Sequence, residues 1–245
     1  VTSFPDRLRI VEDRIAAACR RAGRPRGEVR LMAVSKLHPP SAIEEAMAAG
    51  VTLFGENRVQ EFDRKRGSLS AQPEVHLIGH LQSNKAAKAA EIFSGIDTVD
   101  SLKLAERLEE AAGKVNEIVS EVDQAENRPG RLPILLEIKL SHEETKEGLD
   151  PAGLELRTVL ERAPEFAHLE VRGLMTVAPL DEDAETARAC FRDLHALRNQ
   201  LSQDYPRLSL GELSMGMSGD FELAIEQGST LVRIGTALFG AREPH

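Results

Sequence analysis

The 245-residue chain has no tryptophan, a single tyrosine (Tyr205) and only 4% aromatic residues. So few π faces leave little on which bases could stack, and a net charge of -9 gives no general attraction for a phosphate backbone. Nucleic acid is therefore not an expected partner, although a local basic pocket for a small anion is compatible with this charge. Cysteine is equally scarce. Cys19 and Cys190 both fall in helical patterns and form no metal-ligand spacing, so buried thiols are expected rather than a disulfide or a metal cluster. No apolar run approaches the length of a membrane span, so no membrane partner is expected. The N-terminal stretch VTSFPDRLRIVEDRIAAACRRAG scatters its charges like an amphipathic helix, which fits neither a secretory signal nor a transit peptide. A cytoplasmic address is the expectation.

What is present is a soluble composition, 41% hydrophobic and 29% charged, arranged as short apolar runs alternating with longer helical patterns. After the N-terminal helix, which Gly23 and Pro25 terminate, eight strand–helix pairs are read. The strands are 30–35, 52–55, 74–78, 96–99, 134–140, 169–177, 208–214 and 231–234. The helices begin near Ser41, Asn57, Ser83, Ser101, Pro151, Glu182, Ser218 and Ala237. Ser41 with Glu44 has capping-box spacing, Gly50 is a C-terminal stop, and Asp150 before Pro151 resembles a cap. Runs such as ILLEIKL and VRGLMTV suit strands covered on both faces. Eight such units at this length predict one α/β domain over residues 1–245, a parallel (β/α)8 TIM-type barrel with an additional N-terminal helix. A doubly wound open sheet is the alternative, because periodicity does not show closure. The charged stretch 113–133 is read as a lengthened helix end and surface loop.

A parallel barrel opens its active face at the strand C-termini. There the first strand, LMAVSK, delivers Lys36. Desolvation at a strand tip favours the free amine and makes a reactive lysine plausible chemistry, although a lysine after a strand is more often a solvated charge. The second end presents Glu56, Asn57 and Arg58, and the third His80, Gln82, Ser83, Asn84 and Lys85. SMGMSGD (214–220) and IGTA (234–237) place glycines and hydroxyls after strands seven and eight, where barrels frequently hold phosphate. Arg233 either enters the mouth or pairs with a carboxylate. His80 could serve as a base but is more often a hydrogen-bonded structural residue, and His76 with His80 lacks a third ligand, so no metal site is expected. Met175, Met215 and Met217 read as pocket wall or core. A lysine facing a phosphate cradle suggests a phosphorylated aldehyde or ketone, with pyridoxal 5′-phosphate ahead of a phosphosugar.

The succession AVSK, FGENRVQE, HLIGHLQSNK, SHEETKEG, GLMTVAP, LSMGMSGD and VRIGTALFG resembles the YggS/PROSC family of pyridoxal phosphate homeostasis proteins over nearly the whole chain. The resemblance implies the alanine racemase N-terminal barrel and a protein that holds pyridoxal phosphate as a reversible lysine imine, for intracellular homeostasis and delivery to apo-enzymes. It implies Lys36 as the imine lysine and Ser214, Gly216, Met217 and Ser218 as one phosphate-binding stretch, with Gly235 and Thr236 as a second. Arg233 then lies toward the pyridine nitrogen or the phosphate, Asn57 and Met175 line the ring, Ile78 and Gly79 form a neighbouring wall, and Lys146 is a second lysine near the mouth. Gly219 stands where the family usually has an acidic residue, and Lys139 where asparagine is common. The chain runs only a few residues past GTALFG, and Lys36 is the one clear acid/base, so efficient turnover is not expected. A low-activity amino-acid racemase is the alternative, and a monomer is the expected state.

Overall fold

The computed structural model describes residues 2–122, 130–140, 147–179 and 183–240. Eight parallel strands close in chain order: β1 (Arg30–Val34), β2 (Leu53–Glu56), β3 (Glu74–Leu77), β4 (Gly95–Val99), β5 (Leu132–Glu137), β6 (Leu169–Met175), β7 (Glu212–Met217) and β8 (Leu231–Ile234). The first pairs the last, Met32 opposite Arg233, so the barrel expectation holds over the open sheet. The helices are α1 (Phe4–Arg21), α2 (Pro40–Ala48), α3 (Val59–Arg66), α4 (Ala86–Ile92), α5 (Leu102–Val122), α6 (Leu154–Arg162), α7 (Ala184–Asp204), α8 (Phe221–Glu226) and α9 (Thr236–Phe239). Ser3 caps α1 by accepting from the Asp6 N–H, and Gly23 follows the helix with φ +65°.

Several boundaries move for physical reasons. Glu44 does not close a box on Ser41. It accepts instead from the N–H and hydroxyl of Ser70, and α2 starts at Pro40, where a missing N–H costs nothing. Asp150 accepts from the Ala152 N–H in a tight turn, which delays α6 to Leu154. The helix α5 runs past Gly113, whose bare Cα faces the His168 ring, to Val122; residues 123–129 of the expected loop lie outside the described residues, and 130–133 lead into β5. The seventh strand begins at Glu212, not Leu208, and reaches Met217 through an irregularity. Ser214 pairs Leu231 but Met217 pairs Arg233, so β7 carries one extra residue, and Gly216 absorbs it with φ +96°.

Strand alternation divides the wall into two faces. Outward residues such as Ala33, Phe54, Val75, Leu77, Ile96 and Val232 join the helices in the main core. Inward ones form a separate small cluster of Met32, Leu53 and Leu231 with Ile78 against it. Gly55 keeps that cluster tight, since a Cβ there would lie 2.7 Å from the Met32 sulfur. The lumen also holds charge: His76, buried, lies 2.9 Å from Asp97 and 3.2 Å from Glu74. Burial works against the imidazolium, but the two carboxylates outweigh it and raise the His76 pKa to about 9. Among the described residues no helix is long and apolar enough to cross a membrane.

Candidate functional site

At the C-terminal mouth a cavity of about 520 Å³ opens above this plug. Its wall follows from the alternation that fills the lumen. In β1 the face carrying Arg30, Met32 and Val34 continues to Lys36, and in β2 the face carrying Leu53 and Gly55 continues to Asn57. Val34, Lys36 and Asn57 all line the cavity, with Ile78, Met217, Ser218, Arg233, Gly235 and Thr236. Eight of the twelve residues singled out from the sequence therefore meet there. His38, Val177, Gly219 and Gly240 complete the lining without having been singled out as contacts. His38 also stacks on Phe239, with ring centroids 4.8 Å apart.

The other four stand behind the wall. Ser214 is fully buried and accepts from Arg233 Nη1 through both its hydroxyl (2.7 Å) and its carbonyl (2.8 Å), while Arg233 Nη2 donates to the Thr176 carbonyl at 2.8 Å. Among the described residues the guanidinium is thus held by neutral acceptors and by no direct carboxylate pair. Burial lowers its pKa, opposed by the charges of Asp97, Asp220 and Glu137. Gly216 packs on α8, Gly79 closes on the Asn57 backbone, and Met175 is core beside Ser214.

The two glycine-bearing loops are joined by one hydroxyl. Ser218 Oγ accepts from the Gly235 N–H (3.2 Å) and the Ala237 N–H (3.4 Å), and Asp220 Oδ1 accepts from the Met217 N–H at 2.5 Å. This brings the backbones of Ser218, Gly219, Gly235 and Thr236 to one side of the cavity, with Lys36 and Asn57 elsewhere on its wall. Burial raises the Asp220 carboxyl pKa, opposed by the Met217 N–H and the Arg233 charge. Glu137, at the end of β5, has its pKa raised to about 7 by burial and by the Asp100 charge, against Arg233.

The cavity fits a ring-bearing phosphate ester. Asn57 Oδ1 is buried with no hydrogen-bond partner among the described residues, leaving an acceptor unspent in the wall. Across the wall from Lys36, Ser35 and Glu56 face outward to Lys65 of α3, a network that sequence spacing does not show because Lys65 sits in an unremarkable charged helix. The buried Lys65 donates to Glu56 Oε1 at 3.0 Å.

His80 is half-exposed and lies against Glu147 and, at 3.3 Å, Asp100. The fold thus supplies the neighbours that chain spacing lacked, and these three side chains place potential ligand atoms within 4.8 Å of one another. Tyr205 caps the far end of α7, on the face where strands begin. Cys19 and Cys190 are buried in α1 and α7. The backbone N–H of Lys139 donates to the Leu149 carbonyl at 3.0 Å, and Lys146 lies outside the described residues.

Comparison with known proteins agrees with this architecture. The profile of the family described as alanine racemase, N-terminal domain, matches residues 8–243. A pyridoxal phosphate homeostasis protein of Aquifex aeolicus is 41% identical over 239 residues, 97% of this chain and 98% of the relative. One of Escherichia coli is 39% identical over 240 residues, 95% and 94% of the two chains. The structure of PipY from Synechococcus elongatus with PLP bound superposes with a TM-score of 0.78 at 41% identity, covering 94% of this chain and all of that one. An alanine racemase of Corynebacterium glutamicum, at 18% identity and a TM-score of 0.62, shares the fold and extends well beyond it, the match covering 61% of its length. The chain belongs to the alanine racemase N-terminal-domain family and, within it, to the pyridoxal phosphate homeostasis proteins.

Proposed function

We propose that this chain is a single-domain carrier that holds pyridoxal 5′-phosphate reversibly through Lys36, limits the free cofactor in the cytoplasm and releases it to apo-enzymes as a monomer. The observation that carries the reading is the cavity itself. Lys36 shares one enclosure with the two loops cross-linked by Ser218 and with the unspent acceptor of Asn57. When bound, pyridoxal phosphate supplies an aldehyde that condenses reversibly with a primary amine, releasing one water. The backbones of Ser218, Gly219, Gly235 and Thr236 receive the phosphate, Ile78 and Asn57 flank the ring, and Arg233 adds a cation fixed in place by Ser214 and Thr176.

A carrier differs from an enzyme in what surrounds the lysine. Racemisation needs a proton donor or acceptor on each face of the carbanion. Among the described residues Tyr205 lies at the opposite end of the barrel, so Lys36 has no tyrosine opposite it. A guanidinium beside a ring nitrogen would also oppose protonation there and weaken the ring as an electron sink. The test is a spectrum with and without added pyridoxal phosphate, followed by solvent deuterium exchange at the α-carbon of a panel of amino acids. The carrier predicts a new visible band and no exchange above the free cofactor's rate. Exchange at enzyme-like rates would replace the carrier with a racemase.

A further inference from the structure

The cavity wall at Lys36 is held from behind. Ser35, Lys36, Leu37 and His38 form a tight turn in which the His38 N–H donates to the Ser35 carbonyl at 3.1 Å. Leu37, the third residue, has φ +65°, the one positive value outside glycine among the described residues. A leucine adopts that conformation only against a steric penalty, so something must impose it. The turn is fastened on both sides of Lys36. Before it, Ser35 Oγ donates to Glu56 Oε1 at 2.7 Å, and the Ser35 carbonyl accepts from Lys65 Nζ at 3.2 Å. After it, the Leu37 N–H donates to Glu61 Oε1 at 2.6 Å. Lys65 closes the circuit, lying 3.0 Å from Glu56 and 2.6 Å from Glu61.

These groups are not cofactor contacts. Alternation turns Ser35 and Glu56 away from the lumen, so the network lies between the barrel wall and α3, and none of Ser35, Glu56, Glu61 and Lys65 lines the cavity. Ser35 and Glu56 are fully buried. Burial raises the Glu56 carboxyl pKa, opposed by the Lys65 charge. At Glu61 burial also acts upward, but the hydrogen bonds from Lys65 and Leu37 leave that carboxyl below its usual range. A buried anion, a half-buried one and a buried cation cost solvation to assemble, and a hydrophobic replacement of such a set is often no less stable. The arrangement therefore calls for a purpose beyond stability, and all its backbone contacts fall on the residues flanking Lys36.

We infer that Lys65, with Glu56 and Glu61, is a positioning residue: the triad clamps the turn that carries Lys36 and fixes the amine where the bound aldehyde arrives. The inference rests on the proposed covalent role of Lys36. A clamp of this kind acts on attachment and not on the phosphate cradle, because preorganisation lowers the entropic cost of bringing amine and carbonyl together. Two ligands separate these effects. Pyridoxal phosphate uses both cradle and lysine, whereas pyridoxamine phosphate has the same ring and phosphate but an amine in place of the aldehyde, and reports on the cradle alone.

The experiment measures both dissociation constants for the wild type, Lys65→Met, and the double variant Glu56→Gln/Lys65→Met. Loss of one charge-assisted contact corresponds to about tenfold in affinity. Lys65→Met is expected to weaken pyridoxal phosphate by about that factor while pyridoxamine phosphate stays within about twofold, and the visible band weakens in parallel. The double variant removes the orphaned Glu56 charge, so it recovers the urea midpoint but not the preference for the aldehyde. Should Lys65→Met not fold, Glu61→Ala, which leaves the Glu56, Lys65 and Ser35 contacts in place, carries the same expectation. Equal weakening of both ligands, no weakening of either, or full recovery of the aldehyde preference in the double variant would overturn the clamp. A wild type that shows no aldehyde preference and no reducible lysine adduct would instead remove the Lys36 reading, and the clamp's role with it.

Discussion

Gly216 is the point at which the fold and the cradle depend on the same atom. Adding one methyl there, as Gly216→Ala, sets a Cβ 2.6 Å from the Ala224 Cβ and 2.9 Å from the Phe221 Cα, on a backbone with φ +96°. The conformation alone costs an L residue roughly 1–2 kcal/mol, and displacing α8 from a packed contact costs about 1–3 more. A destabilisation of about 3 kcal/mol follows, which in a chain of this size lowers the melting temperature by roughly 6–12 °C. The same movement pulls Asp220, which precedes α8, away from the Met217 N–H and loosens the loop that Ser218 joins to Gly235. Affinity for pyridoxal phosphate should fall by about tenfold, the factor expected for losing one hydrogen bond to a charged group. Gly219→Ala is the internal control, because nothing lies within 4 Å of its added carbon and its φ is not positive. It should stay within about 0.5 kcal/mol of wild type, as surface substitutions usually do. Calorimetry and a fluorescence or absorbance titration on both variants decide the matter. Equal stability for Gly216→Ala and Gly219→Ala would refute the argument that the irregularity in β7 needs glycine.

Two further outcomes follow from one side chain in the cavity wall and one in the lumen beneath it. Ser218→Ala removes the hydroxyl that accepts from the Gly235 and Ala237 N–H groups; both bonds are long, so the loss should be about 1 kcal/mol, read as a fivefold or smaller drop in pyridoxamine phosphate affinity with little change in unfolding midpoint. His76 has a folded pKa raised to about 9, so its stabilising contribution is fully present below about pH 6.5 and is lost as pH rises through 9. Urea denaturation should show roughly 3 kcal/mol of stability lost over that window. His76→Gln should flatten the profile; an unchanged slope would show that the His76, Asp97 and Glu74 cluster is not its source.

Much of the fold was legible because its periodicities are clean. In LMAVSK the alternation that buries Met32 inside the barrel also aims Lys36 at the mouth, and the same count carries Leu53 and Gly55 to Asn57. Boundaries were lost where a polar side chain had a better partner than its own helix. Glu44 went to Ser70, and Asp150 turned the chain at Ala152 instead of capping at Pro151. The apolar Leu208 and Leu210 predict an early start for the seventh strand, but both pack before the strand begins, against the main core. Of the clamp behind Lys36, only the i,i+4 spacing of Glu61 and Lys65 is legible in the sequence. Lys65 lies among Arg64 and Arg66 in a charged helix, and only barrel closure and the placement of α3 bring it to Glu56.

Reversible attachment of pyridoxal phosphate rests on one lysine, Lys36. Borohydride reduction of the protein loaded with pyridoxal phosphate, followed by peptide mass spectrometry, should place the ligand's mass on the peptide containing Lys36, and Lys36→Ala should lose both that adduct and its visible band. A wild-type adduct confined to another lysine, or a Lys36→Ala protein whose spectrum and affinity are unchanged, would contradict it.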